Sequence, residues 1–163
     1  MTQPHPGGGD LLITGGSVML PGAEEPVTAD ILILNGRIAA IGSLSAPPGT
    51  PTIDAAGLLV LPGVVDPHVH FDEPGFTDRE DFFHGTSAAA SGGVTTIVDM
   101  PCTSIPPVTN KANFDEKYAI VSTRAVVDYG LYGGVCAETF EAPRRDGAEE
   151  YQTAMRELAP HVL

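Results

Sequence analysis

Short apolar segments, separated by glycine, proline and polar residues, fill the first third of the chain, and this pattern predicts strands. Asn35-Gly36 favours a tight hairpin turn because both of its positions tolerate positive φ. Gly15-Gly16 predicts the turn of another short hairpin. The predicted strands of this part are residues 11–14, 17–20, 29–34, 37–42, 52–54 and 58–60.

Beyond residue 63 the pattern changes, because β-branched apolar segments alternate with longer segments of helical periodicity. This alternation predicts parallel βα units. Thr77 and Glu80 have the spacing of a capping box, so the first helix should begin at Thr77 and end at Gly92-Gly93. Asn110 should cap the second helix. The predicted strands are residues 64–68, 94–99 and 126–132, and residues 148–158 form a third predicted helix.

The chain has 163 residues, of which 42% are hydrophobic, which suits a domain with a buried core. Its formal charge of −13 would repel a phosphate backbone, so nucleic-acid binding is not expected. No apolar segment approaches the roughly 20 residues needed to span a bilayer, and the first residues do not resemble a signal sequence. Cys102 and Cys136 do not form a disulfide framework. We therefore predict a cytoplasmic protein without membrane association.

Two histidines lie at the end of the strand predicted at residues 64–68, one inside it and one just beyond it. Side chains alternate along a strand, so His68 and His70 lie on one face and their imidazoles converge. Neutral imidazole is a good zinc ligand, which makes this pair a candidate half of a metal site. The alternative is two polar residues that merely close a surface strand. Asp66, two residues earlier, is a candidate for orienting the histidines, or else a simple strand-end residue.

After this pair come a helix segment rich in small residues, Gly85-Thr86-Ser87-Ala88-Ala89, and then Asp99-Met100-Pro101. The ordered set resembles the cyclic-amidohydrolase branch of the amidohydrolase superfamily, which contains dihydroorotases, allantoinases and hydantoinases. The resemblance implies an α/β fold, namely the N-terminal part of a (β/α)8 TIM-type barrel preceded by strands of a small β-sandwich. We expect a disordered N-terminus at residues 1–9, a partial β-sandwich at 10–61 and the first three βα units of the barrel at 62–163.

The resemblance also implies an activity, the metal-dependent hydrolysis of a cyclic amide C–N bond. His68 and His70 would bind a divalent metal, zinc, with two ions in a complete site. A bridging lysine, further histidines and an aspartate would lie beyond Leu163, because a complete barrel takes about 250 residues. We therefore expect an N-terminal portion that is inactive alone and belongs to a homo-oligomer when full length. The alternative is a non-catalytic scaffold or assembly partner with the same fold.

Two positions bear on the substrate. Dihydroorotases carry arginine after His-x-His-Phe and asparagine after Met-Pro, and both contact the substrate carboxylate; here the residues are Asp72 and Cys102. A substrate carboxylate would meet a like charge at Asp72. Residues 104–109 match the Ser-x-Pro-Pro-x-Thr pattern of allantoinases. We therefore predict that Asp72 and Cys102 contact a small, allantoin-like cyclic amide. Asp99 is a polar candidate whose role stays open.

Overall fold

The computed structural model describes residues 9–135 and 148–162, and the chain divides into two compact units, Met1–Pro62 and Gly63–Leu163. Of the N-terminus predicted to be disordered, residues 1–9, all but Gly9 lie outside the described residues, and so does Cys136. Within the described part, no helix is both long enough and apolar enough to cross a bilayer.

The first unit is built on one five-stranded sheet. Strands β1, β2 and β3 pair as antiparallel neighbours, while β4 and β5 run parallel to β1 along its other edge. The strand bounds are β1 Leu11–Val18, β2 Val27–Leu34, β3 Arg37–Gly42, β4 Thr52–Asp54 and β5 Leu59–Val60.

The two glycine-containing turns predicted for this unit have opposite outcomes. The Asn35-Gly36 hairpin is confirmed, with φ of 52° and 72° at its two residues. The Gly15-Gly16 hairpin is wrong, because β1 runs through both glycines as a single strand. Its pairing with β2 shifts register between Ile13 and Gly16, and Gly15 takes a φ of 67°, so the glycines form an irregularity within the strand rather than a turn.

The second unit alternates strands and helices, as predicted, and its three strands form a parallel sheet in the order β6, β7, β8. A short 3-10 helix at Pro101–Thr103 follows β7. The bounds are β6 Val64–Val69, α1 Phe82–Ser91, β7 Val94–Asp99, α2 Lys111–Val121, β8 Asp128–Leu131 and α3 Ala148–Leu158.

The predicted start of α1 at Thr77 is wrong, because the helix begins at Phe82 with Asp81 as its N-cap. The Asp81 carboxylate accepts the backbone N–H of His84 at 2.7 Å. A distant carboxylate, that of Glu73, accepts the N–H of Phe82 at 3.0 Å, so a tertiary contact fixes the first turn. The predicted end at Gly92 is confirmed. Asn110 caps α2 as predicted, accepting the N–H of Asn113 at 2.9 Å.

The core of the second unit reaches the end of β6 through Phe71. The Phe71 ring packs edge-to-face on Phe82 at a centroid distance of 5.3 Å. Gly85 of α1 faces the same ring, and a Cβ there would lie only 2.6 Å from Phe71 Cε1. Phe71 directly follows His70, so this packing anchors the chain where β6 ends. The buried apolar cluster comprises Phe71, Phe82, Ile97, Val108, Phe114, Val121, Leu131 and Leu158.

Candidate metal centre

The two histidines meet at the carboxyl end of β6. His68 Nε2 lies 3.2 Å from His70 Nε2, and the ring centroids are 5.1 Å apart. The convergence predicted from strand alternation is therefore confirmed. At the carboxyl ends of parallel strands, loops from neighbouring strands reach one edge of the sheet, which is where catalytic groups of (β/α)8 barrels lie.

The spacing of these nitrogens can be tested against a metal. Two nitrogens bound to one tetrahedral zinc at about 2.0–2.1 Å lie roughly 3.3–3.4 Å apart. The 3.2 Å separation between the Nε2 atoms fits this arrangement, and it also fits a hydrogen bond between one protonated and one bare nitrogen. Among residues 9–135 and 148–162, no group of three or more His, Cys, Asp or Glu side chains is placed to hold a metal ion. The described residues therefore contain this histidine pair as candidate ligands and no complete metal site.

Asp66 acts on the backbone of the strand end. Its Oδ1 accepts the N–H of His68 at 3.1 Å. This contact holds the peptide that carries the first histidine and leaves the orientation of the imidazole to other groups. A role for Asp66 in orienting the imidazoles stays a prediction.

Cys102, in the 3-10 helix after β7, lies beside the histidine pair. Its Sγ is 3.9 Å from His70 Nδ1, whereas the nitrogen of this ring that approaches His68 is Nε2. The thiol is exposed and forms no disulfide within the described residues. Because sulfur is a weak hydrogen-bond acceptor, this contact can orient His70 only weakly.

Asp72, the other predicted substrate contact, is nearly buried and already has a cationic partner. Its Oδ2 lies 3.5 Å from Nε of Arg79, whose guanidinium also stacks over the Phe76 ring at 5.2 Å. The sequence argument missed this arginine. Because Arg79 balances the charge of Asp72, the repulsion expected for a substrate carboxylate is weaker than the sequence alone implies.

Glu73 is the next buried carboxylate along this loop. Its Oε1 pairs with Nη1 of Arg124, which lies beyond the end of α2, and its Oε2 accepts the N–H of Phe82. The loop that follows His70 is thereby tied to the first turn of α1 and to the segment after α2.

Asp99, left open by the sequence, is buried at the end of β7 with 1% of its surface exposed. Its Oδ1 accepts the N–H of Phe71 at 2.8 Å, and its Oδ2 lies 2.5 Å from Nζ of Lys117. Burial raises the pKa of the Asp99 carboxyl, and the charge of Lys117 with the hydrogen bonds from Lys117 and Phe71 opposes that rise.

Sequence reasoning missed Lys117 although one signal was present. Lys117 lies between Phe114 and Val121 at helical spacing, on the buried face of α2. A lysine at such a position requires a buried anion, and Asp99 at the preceding strand end is the carboxylate that meets it.

Comparison with known proteins gives a consistent set of relatives. The model of the amidohydrolase family matches residues 59–162. An allantoinase from Deinococcus radiodurans is 42% identical over 126 residues, covering 77% of this chain and 28% of that protein. A dihydroorotase from Methanosarcina acetivorans is 44% identical over 108 residues, covering 66% of this chain and 23% of that protein.

Solved structures agree with these sequence relatives. The L-hydantoinase (dihydropyrimidinase) from Arthrobacter aurescens matches with a TM-score of 0.71 and 35% identity, over 85% of this chain and 31% of the hydantoinase. The α/β fold predicted from the sequence, the N-terminal part of a TIM-type barrel preceded by β-sandwich strands, is confirmed. The chain spans less than a third of the length of each of these relatives.

Proposed function

Because the chain belongs to the amidohydrolase family, we propose that His68 and His70 bind zinc in an enzyme that hydrolyses the C–N bond of a cyclic amide. One observation carries the proposal: the two Nε2 atoms lie 3.2 Å apart at the carboxyl end of β6, a spacing that suits two ligands of one ion. The relatives add support, since their names are allantoinase, dihydroorotase and hydantoinase.

The residues of this chain would hold the metal rather than transfer protons. A bound zinc ion polarises an amide carbonyl and lowers the pKa of water, which is the chemistry that ring opening requires. His68 and His70 would present their Nε2 atoms to it, Asp66 fixes the peptide of His68, and Phe71 anchors the chain behind the pair.

For the substrate, we propose a neutral ring such as allantoin rather than one that bears a carboxylate. Cys102 lies next to His70, at the position where dihydroorotases have asparagine, and a thiol does not supply the two N–H donors of an amide. Asp72 is an anion where dihydroorotases have a cationic arginine, and the nearby cation Arg79 is already paired with it. The proposed preference for a neutral ring therefore depends mainly on Cys102.

The metal assignment is tested with His68→Ala and His70→Ala in the longest native chain that carries these residues. Each variant should lose bound zinc and ring-opening activity while its thermal unfolding stays close to wild type, because both side chains are exposed. His84→Ala is the matched control, since this histidine lies on α1 and pairs with Asp81. Undiminished zinc by elemental analysis in both variants would contradict the assignment.

The substrate assignment is tested by comparing kcat/KM for allantoin, hydantoin, dihydrouracil and dihydroorotate. Leaving a substrate carboxylate without its partner should cost about 2 kcal/mol, which is roughly a 30-fold preference for the best neutral ring. Cys102→Asn should narrow this difference by favouring dihydroorotate. A wild-type enzyme that prefers dihydroorotate to every neutral ring would overturn the assignment.

A further inference from the structure

We propose that the buried Asp99–Lys117 pair is a positioning device that fixes the backbone of His70, so that its imidazole meets that of His68. The proposal rests on the proposed function, in which both imidazoles bind metal. The proposal assigns a role to Asp99 and Lys117. The side-chain hydrogen bonds of these two residues do not involve either imidazole.

His70 is held on both sides by hydrogen bonds to the end of β7. The carbonyl of Val69 accepts the N–H of Met100 at 2.9 Å. The N–H of Phe71 donates to Oδ1 of Asp99 at 2.8 Å. The two peptide groups that flank the His70 Cα are therefore both fixed, which restrains its φ and ψ and hence the direction of its Cβ.

The regular strand ladder does not supply this restraint. The pairing of β6 with β7 shifts register between Asp66 and Val69, immediately before His70. A carboxylate then takes the place of a strand carbonyl as the acceptor for Phe71 N–H. A side-chain acceptor allows the chain to leave the ladder at His70 without losing a buried hydrogen bond.

Lys117 in turn holds the carboxylate. Its ammonium lies 2.5 Å from Oδ2, with the Ser104 hydroxyl at 3.4 Å and the Phe82 ring centroid at 5.4 Å. The backbone carbonyl of Asp99 accepts the N–H of Tyr132 at 2.9 Å, beyond the end of β8. Helix α2 and the end of β6 thus contact the Asp99 carboxylate, and the segment after β8 contacts the backbone carbonyl of the same residue.

Substitutions can distinguish the effect of the two buried charges from the effect of the hydrogen-bond acceptor for Phe71 N–H. Asp99→Asn with Lys117→Met removes both buried charges but keeps an amide oxygen for Phe71 N–H. Asp99→Leu with Lys117→Met removes the charges and the acceptor together. Neither double variant leaves an isolated buried charge, so both should fold. Glu73→Gln is the matched control, because Glu73 is an equally buried carboxylate that holds Phe82 N–H and does not contact the peptides of His70.

In the longest native chain, zinc affinity is measured by chelator competition and amide exchange at Phe71 by deuterium labelling. The Asn/Met variant and Glu73→Gln should stay within about threefold of wild type in both measurements. The Leu/Met variant should lose about 10- to 100-fold in zinc affinity, the range typical for groups that orient metal ligands, and Phe71 should exchange at least about tenfold faster. Wild-type zinc affinity in the Leu/Met variant would overturn the proposal.

A third measurement separates this proposal from the proposed function. If the wild-type protein binds no zinc, the metal assignment fails, and the NMR signals of the 13C-labelled His70 ring decide the positioning role. A single ring environment in wild type that becomes averaged in the Leu/Met variant, but not in the Asn/Met variant, supports it. An unchanged His70 ring in the Leu/Met variant overturns it.

Discussion

Lys117→Met should strongly destabilise the second unit. The Lys117 side chain is fully buried, and the Asp99 side chain, 1% exposed, lies 2.5 Å away. Without the ammonium, the carboxylate stays buried with the Phe71 N–H as its described partner. Breaking a buried ion pair on one side costs about 3–5 kcal/mol, because the remaining charge is uncompensated.

The expected shift in melting temperature follows from the size of the unit. For a unit of about 100 residues, Gly63–Leu163, each 1 kcal/mol corresponds to about 4–8 °C, so the transition should move down by at least about 12 °C. Lys111→Met is the surface comparison. The Lys111–Asp115 pair is 2.6 Å apart, but its side chains are 39% and 56% exposed, so its loss should cost under about 1 kcal/mol.

The pH dependence has a definite sign. Burial already raises the pKa of Asp99, and the loss of Lys117 removes the main opposing charge. A carboxyl whose pKa is higher in the folded than in the unfolded state favours folding below the unfolded pKa, and this contribution is lost as pH rises through the folded pKa. The deficit of Lys117→Met should therefore be smallest in acid and grow as pH rises.

The assay is thermal unfolding followed by circular dichroism and calorimetry at several pH values. Asp99→Asn combined with Lys117→Met should recover most of the lost stability, because no buried charge remains. Two results would refute the reasoning: a Lys117→Met variant as stable as Lys111→Met, or a double variant no more stable than the single one.

Two further predictions concern stability, one for each unit. Gly85→Ala should destabilise the second unit by about 1–3 kcal/mol in urea titration, because its Cβ would lie 2.6 Å from the Phe71 ring, whereas Gly92→Ala, with its nearest contact at 3.5 Å, should change stability by less. In the first unit, two backbone N–H groups lower the pKa of Asp30, so its contribution is present above the ordinary value of 3.8 and lost as pH falls through the folded pKa. The urea midpoints of wild type and Asp30→Asn should converge between pH 6 and pH 3; a constant difference would contradict this.

Local signals in the sequence succeeded where the interacting groups are close in the chain. Asn35-Gly36 forms its own turn, and Asn110 caps a helix three residues away. The Gly15-Gly16 turn failed because the carboxylate of Asp30, on the neighbouring strand, accepts Gly15 N–H at 2.9 Å and supports a continuous strand. The predicted helix start is wrong for a similar reason, since Glu73 accepts the N–H of Phe82 from outside the helix and supports a start at this residue beside the N-cap Asp81. In both cases a side chain distant in sequence contributes a hydrogen bond that the local pattern does not reveal.

In the candidate site, too, contacts between residues close in sequence were predicted and contacts between distant residues were not. Strand alternation was sufficient to predict that His68 and His70 converge, because both lie on one short segment. The Asp99–Lys117 pair joins residues 18 positions apart. The Glu73–Arg124 pair joins residues 51 positions apart. Such pairs depend on the packing of helices against strand ends, which periodicity does not specify.

Net charge is a poor guide to the electrostatics of this strand end. The chain carries 21 acidic and 8 basic residues, yet three carboxylates around the segment after His70 each contact a cation. Asp72 meets Arg79, Glu73 meets Arg124 and Asp99 meets Lys117. Exposed charges farther away than about 8–10 Å are largely screened at physiological salt. Each of these three carboxylates is paired with its own cation, so the charge beside the segment after His70 is close to balanced although the chain as a whole carries a formal charge of −13.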